Sequence, residues 1–182
     1  MKQPIIDIKH FRLYGYSGVI IALSLLAAVI GLSYILMHNP HQQLHQQIFE
    51  TADKIRNYYR DRPGYWKLST ETAREDNLIS EKLQNHKEYN VRIGQGLDGD
   101  MGMPGDANFD IVLKNLNKSA CINLSEMALT KKQELMLQKI AIVNEKGITE
   151  FEWGGDNPLP VVKYATRNIC QTTDNALIWT FQ

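Results

Sequence analysis

The sequence predicts an α+β chain in which a long N-terminal helix, transmembrane in its first half and amphipathic in its second, packs on a small antiparallel sheet. Three observations predict this. Residues 13–49 contain no Asp, Glu, Lys or Arg. An apolar stripe of helical period then runs from Leu44 to Tyr59, and beyond residue 63 short apolar runs are punctuated by glycine. The organisation that follows is a basic segment (1–15), a transmembrane helix half (16–37), an amphipathic helix half (38–62) and an α+β globular head (63–182).

Residues 16–37 read YSGVIIALSLLAAVIGLSYILM. At about 1.5 Å per helical residue this run spans a hydrocarbon core of about 30 Å. Before it stand Lys2, Lys9, His10 and Arg12 against the single acid Asp7. Positive charge on the short side predicts a cytoplasmic N-terminus and a head outside the cytoplasm. A cleaved secretory signal fits less well, because the apolar run exceeds the ~7–15 residues of such a segment and ends without a small-x-small site.

About 145 residues remain outside this run, enough for one domain to bury a core without metals. Twenty basic and twenty acidic residues cancel to a formal net charge of zero. No global field therefore draws nucleic acid or a membrane surface, and no nucleic-acid partner is expected. Trp66, Trp153, Trp179 and eight tyrosines could stack bases or sugars, but strand aromatics are more often core and a basic groove is lacking. Cys121 and Cys170 fall on the side assigned to an oxidising compartment, which favours a disulfide closing a loop of about 50 residues, worth about 4 kcal/mol on loop-entropy grounds. A reactive Cys121 thiol at a helix start is the alternative, and no His/Asn pattern accompanies it.

Along the chain, Asn39-Pro40 reads as a helix interruption or first turn. Leu44, Ile48, Ala52, Ile55 and Tyr59 then form one stripe, with Glu50, Asp53, Lys54, Arg56 and Arg60 on the other faces. The two halves make one helix of about 45 residues, bent or not at Pro40 and stopped by Arg62-Pro63-Gly64. A short helix is expected over 72–83 and a strand over 89–93. The glycine-rich stretch 94–105 reads as loop, and the alternation of Phe109, Ile111 and Leu113 as a half-buried strand. Helical spacing returns over 121–140, a hairpin follows over 141–153 around Gly147, and residues 176–181 are rich in strand formers.

The layout resembles a type IV pilin or type II secretion pseudopilin, most closely a type IVb-like minor pilin. The residues that carry the resemblance are the basic leader ending in Gly15, the apolar helix from Tyr16, the amphipathic continuation, and a head with two late cysteines. More specific are the strand-like run from Phe109 into Cys121, and Cys170 followed by Asp174-Asn175 and the final Leu-Ile-Trp-Thr-Phe. The resemblance implies a pilin-like fold, cleavage of leader 1–15 between Gly15 and Tyr16 by a prepilin peptidase, and methylation of the new N-terminus. It also implies partners among other pilin or pseudopilin subunits and an inner-membrane assembly platform. The protein would wait in the inner membrane, single-pass with its head in the periplasm, and reach a cell-surface filament on assembly.

One departure bears on the role. Ile20 stands where the family usually has a Glu. A carboxylate in hydrocarbon costs about 2.5–3.5 kcal/mol unless a partner such as a neighbour's N-terminal amine awaits it. Ile20 removes both cost and pairing, which suits a minor subunit that initiates, caps or modifies a filament. The alternative is an uncleaved single-pass anchor carrying an extracytoplasmic binding module.

No enzyme and no cofactor is expected. His38, His41 and His45 share a helix face at metal-ligand spacing but lack an evident fourth ligand. Asp98, Asp100 and Asp106 are weak calcium candidates, because Asp98-Gly-Asp100 lacks the spacing and terminal Glu of an EF-hand, and a solvated flexible loop is the plainer reading. Gly94-x-Gly96 lacks the third glycine and strand-to-helix turn of a nucleotide site, and Ser17 lacks the spacing of a hydrolase nucleophile.

Overall fold

A computed structural model describes residues 21–27, 40–85, 89–126, 128–162 and 164–182. The chain divides into two units, residues 1–39 and residues 40–182. In the first, residues 21–27 are helical, and Ile21, Leu23, Leu25 and Leu26 are exposed. The remainder of the expected membrane segment, with Gly15, Tyr16, Ile20 and His38, lies outside the described residues. Among the described residues no helix is long and apolar enough to cross a membrane.

The second unit begins with α1, Pro40–Tyr59. This corrects the expected fold class. The helix of the head is a twenty-residue element, not a helix of about 45 residues, and the described chain is a five-stranded antiparallel sheet with short helices. Pro40 opens the described helix, a position that suits a residue with no N–H to donate and a ring that crowds the carbonyl four residues back.

Short helices α2 (Thr70–Glu75) and α3 (Glu81–Gln84) follow, then strands β1 (Asn90–Gly94) and β2 (Phe109–Leu116). Helices α4 (Lys118–Ser125) and α5 (Lys131–Met136) precede β3 (Leu137–Asn144), β4 (Gly147–Glu152) and β5 (Asn175–Phe181). The single helix expected over 72–83 is two, because Asn77 turns into the left-handed region at φ 55° and Ser80 caps a new start. The helix expected over 121–140 is also broken. Asn117 caps α4 ahead of Cys121, Thr130 and Gln133 form a capping box for α5, and residues 137–140 belong to β3.

The sheet order is β1-β2-β5-β3-β4, antiparallel throughout. Register aligns Ile93, Ile111, Trp179, Ile140 and Phe151 in one row across all five strands, and Val91, Leu113, Leu177, Ile142 and Thr149 in the next. The apolar members of both rows are buried in one core with the α1 stripe Leu44, Ile48, Phe49, Ala52, Ile55 and Tyr59. Strand β2 is buried on both faces from Phe109 to Leu113, so it is not the half-buried strand its alternation predicts. On its second face Asp110 accepts hydrogen bonds from the Thr180 hydroxyl at 2.6 Å and the Gly96 N–H at 2.8 Å.

Both sheet edges are blunted. The Thr70 hydroxyl accepts from the Ile93 N–H at 2.9 Å and donates to the Ile93 carbonyl at 3.2 Å, occupying the outer side of β1. Across the outer side of β4, the Glu152 N–H donates to the Asn157 carbonyl and the Leu159 N–H to the Glu152 carbonyl. An edge so covered presents few open backbone groups to another chain.

The glycine-rich stretch is ordered by backbone hydrogen bonds. Gln95 and Asp100 bond reciprocally at 2.7 and 2.8 Å, and Gly102 bonds both Leu68 and Lys67. A side chain at Gly102 would collide with the Tyr65 carbonyl, and one at Gly64, where φ is +74°, with that of Asp106. Glycine at these two places lets the segments lie against each other.

At the opposite end Asn175, fully buried, joins four segments. Its amide donates to the Leu116 and Gln171 carbonyls, both at 2.9 Å, and its oxygen accepts from the Gln171 N–H at 2.7 Å and from the Asn144 amide at 3.3 Å. Replacing Asn175 by Ala strands these groups in a dry site and is expected to lower unfolding free energy by about 3 kcal/mol in urea denaturation. A loss under about 1 kcal/mol would show that water replaces the amide.

Candidate functional site

The expected site residues separate into distinct places. Cys121 on α4 and Cys170 are joined in a disulfide, both buried, with a sequence separation of 49. No free cysteine is present among the described residues, so the thiol alternative falls away. The bridge holds the turn segment 164–170 beside α4. Glu126 supports the same junction, accepting from the Thr166 hydroxyl at 2.6 Å and the Thr166 N–H at 3.3 Å.

Asp98, Asp100 and Asp106 do not converge. Asp98 is ion-paired with Lys114 at 2.6 Å, and that hydrogen bond holds its carboxyl below the usual carboxylate range. Asp106 accepts from the Met103 N–H within its own turn, and Asp100 pairs through its backbone with Gln95. Among the described residues no three His, Cys, Asp or Glu side chains are grouped to hold a metal ion. His45 is not on a polar face. It is buried against the Phe49 ring, centroids 4.7 Å apart, and burial lowers its pKa to about 4.

The concave feature with converging charge was not singled out in the sequence. A cleft of about 340 Å³ opens at the C-terminal end of α1, lined by Asp53, Arg56, Asn57, Tyr59, Arg60, Gly64, Tyr65, Ala107 and Gln182. Four separate stretches build it: the last two turns of α1 with Arg60, the turn at Gly64-Tyr65, Ala107 in the loop before β2, and Gln182 just after β5. Arg56 and Tyr65 line the cleft together; burial pushes the Tyr65 hydroxyl's pKa up and the nearby guanidinium pulls it back. Asp53, the acid of the lining, is ion-paired with Lys132 of α5. Arg62 lies 4.1 Å over the Tyr58 ring and 5.1 Å from that of Tyr59. Spacing of Arg56 and Arg60 by four is the one sequence signal for this cleft, and alone it is the ordinary pattern of a solvated helix face.

A second surface feature is apolar. Leu135 is 82% exposed and Trp153 43% exposed, the latter with its Nε1 donating to the Leu137 carbonyl at 2.8 Å. Together with Lys131 and Glu134 they line a shallow depression.

No family model, no curated protein and no solved structure matches this chain.

Two outcomes are expected. Replacing Cys121 and Cys170 together by Ser should cost up to about 4 kcal/mol in denaturation under oxidising conditions, and adding reductant should bring the wild-type chain to the same value. His45 is neutral in both states above pH 6.5. As pH falls from 6.5 to about 4 the unfolded chain takes a proton and the folded chain does not, so stability falls. Titrating wild type and His45→Phe side by side from pH 7 to pH 4 should show the wild type losing about 3 kcal/mol more. Parallel curves would place the imidazole in water.

Proposed function

We propose that this chain is a membrane-inserted assembly protein, a minor pilin-like or pseudopilin subunit that initiates, caps or modifies a type IV pilus or related secretion filament. The observation that carries this reading is an apolar run, residues 16–37, inside a stretch without charged side chains (13–49), leading from a basic N-terminal segment into a head closed by a buried disulfide. A disulfide of this kind persists outside the reducing cytoplasm, and the basic segment favours the orientation that puts the head there. The exposed Ile21, Leu23, Leu25 and Leu26 supply apolar surface suited to lipid before assembly and to neighbouring helices after it. The partners are other subunits of the filament, the prepilin peptidase and an inner-membrane assembly platform.

Ile20 favours a position with no subunit ahead, since no carboxylate awaits a neighbour's amine. The same residue is compatible with a second reading, an uncleaved single-pass anchor whose head binds a partner outside the cytoplasm.

Intact mass and N-terminal sequence from native membranes test the reading. The expected result is a chain beginning at Tyr16, and a Gly15→Leu variant that keeps residues 1–15. A wild-type chain beginning at Met1, or a variant of the same mass as wild type, overturns the processing claim.

A further inference from the structure

We propose that the cleft at the C-terminal end of α1 binds a carboxylate carried by a neighbouring polypeptide, an Asp or Glu side chain received between Arg56 and Arg60. The identity of the neighbour as a filament subunit rests on the reading above; the chemistry of the cleft does not.

The lining contains two guanidinium groups and one carboxylate. That carboxylate, Asp53, is engaged by Lys132, so the local charge with Lys132 included is positive by two. Among the described residues the ion pairs are Lys114–Asp98, Lys132–Asp53 and Lys139–Glu150, and neither arginine takes part in one. Arg56 is half-buried and shares the cleft lining with Tyr65, while Arg60 is exposed and bonded to the Asn57 amide oxygen. With no carboxylate paired to either, their charge is uncompensated, and each fork keeps N–H donors for another acceptor. Cations near a helix C-terminus are favourable by about 0.3–1 kcal/mol each, which explains their presence on the last turns. It does not explain a cleft between them.

A carboxylate on a side chain suits the lining, because Tyr59, Tyr65 and Ala107 stand beside the two arginines. These surfaces accept the methylene stem of an acidic side chain while its oxygens meet the guanidinium forks. A free anion at so open a place gains little over water, whereas a carboxylate delivered by the rest of an interface does not carry the entropy of association alone. Thr70 on Ile93 and residues 157–159 on the end of β4 make strand addition at these edges less favourable.

The test uses the full-length chain in detergent micelles, with arginine Nε–Hε resonances followed while acetyl-Glu-Glu-amide, or separately inorganic phosphate, is added. The expected result is saturable movement of the Arg56 and Arg60 signals with the peptide, stronger than with phosphate. Affinity should fall about tenfold or more in R56Q/R60Q and stay unchanged in K146Q, at the remote β3–β4 turn. Should the double variant lose its native amide dispersion, R60Q alone, at an exposed position, decides by a smaller loss in the same direction. No movement, equal affinity in the variants, or binding of phosphate without the peptide overturns the proposal. Failure here leaves the proposed cleavage before Tyr16 to its own test, and failure of processing leaves the cleft's affinity standing.

Discussion

The edge-on contact between Phe49 of α1 and Phe181 of β5, centroids 5.3 Å apart, is the join on which the head depends. It opens a circuit of aromatic contacts that returns to the same helix. Phe181 stacks on Phe109 of β2 at 5.5 Å, Phe109 meets Tyr65 at 4.6 Å, and Tyr65 meets Tyr59 at 5.6 Å. Each such pair adds about 0.5–1.5 kcal/mol beyond the area it buries. Helix α1 is thereby fixed to the sheet at two points along its length. The cleft between Arg56, Arg60 and Tyr65 exists because the second of these points holds the turn after the helix at a set distance from it.

At the other end of the sheet the constraint is polar and covalent. Asn175, the Cys121–Cys170 bridge and Glu126 bind the long connection after β4 to α4 and to the start of β5. Strand β5 therefore carries the aromatic join at its last residue and the polar hub at its first, and lies centrally between β2 and β3. With the core fixed from both ends and both edges covered, recognition is left to side chains on the surface. That is the physical ground for placing partner contact at a charged cleft and not at a strand.

Much of the head was legible, and the failures have identifiable causes. The stripe Leu44, Ile48, Ala52, Ile55 and Tyr59 marked the buried face of α1 because helical period is a direct consequence of packing one side. Each of the five segments read as strand overlaps a strand of the sheet. Residues 137–140 were misread because a contiguous apolar run satisfies both periods; the caps at Asn117 and Thr130 carried the information that α4 and α5 are separate and short. Of the expected long helix, the described part in the head is the twenty-residue element Pro40–Tyr59, and Pro40 at its first turn suits a residue with no N–H to donate. Spacing alone groups His45 with His38 and His41 on one helix face, and only the fold shows that its position abuts Phe49. The cleft was invisible because Arg56 and Tyr65 meet across a turn whose course depends on Gly64 lying against Asp106.

The central claim is that α1 is an integral part of the head's core, so that what happens at the helix is felt by the sheet. Native-state hydrogen exchange on the full-length chain tests it most directly. The amides of Ile48, Ala52 and Ile55 are expected to open with the same free energy as those of Ile111 and Trp179, through global unfolding alone. Exchange of the α1 amides orders of magnitude faster than that of β2 and β5 would contradict it, and would make the helix a separable element resting on a sheet that folds without it.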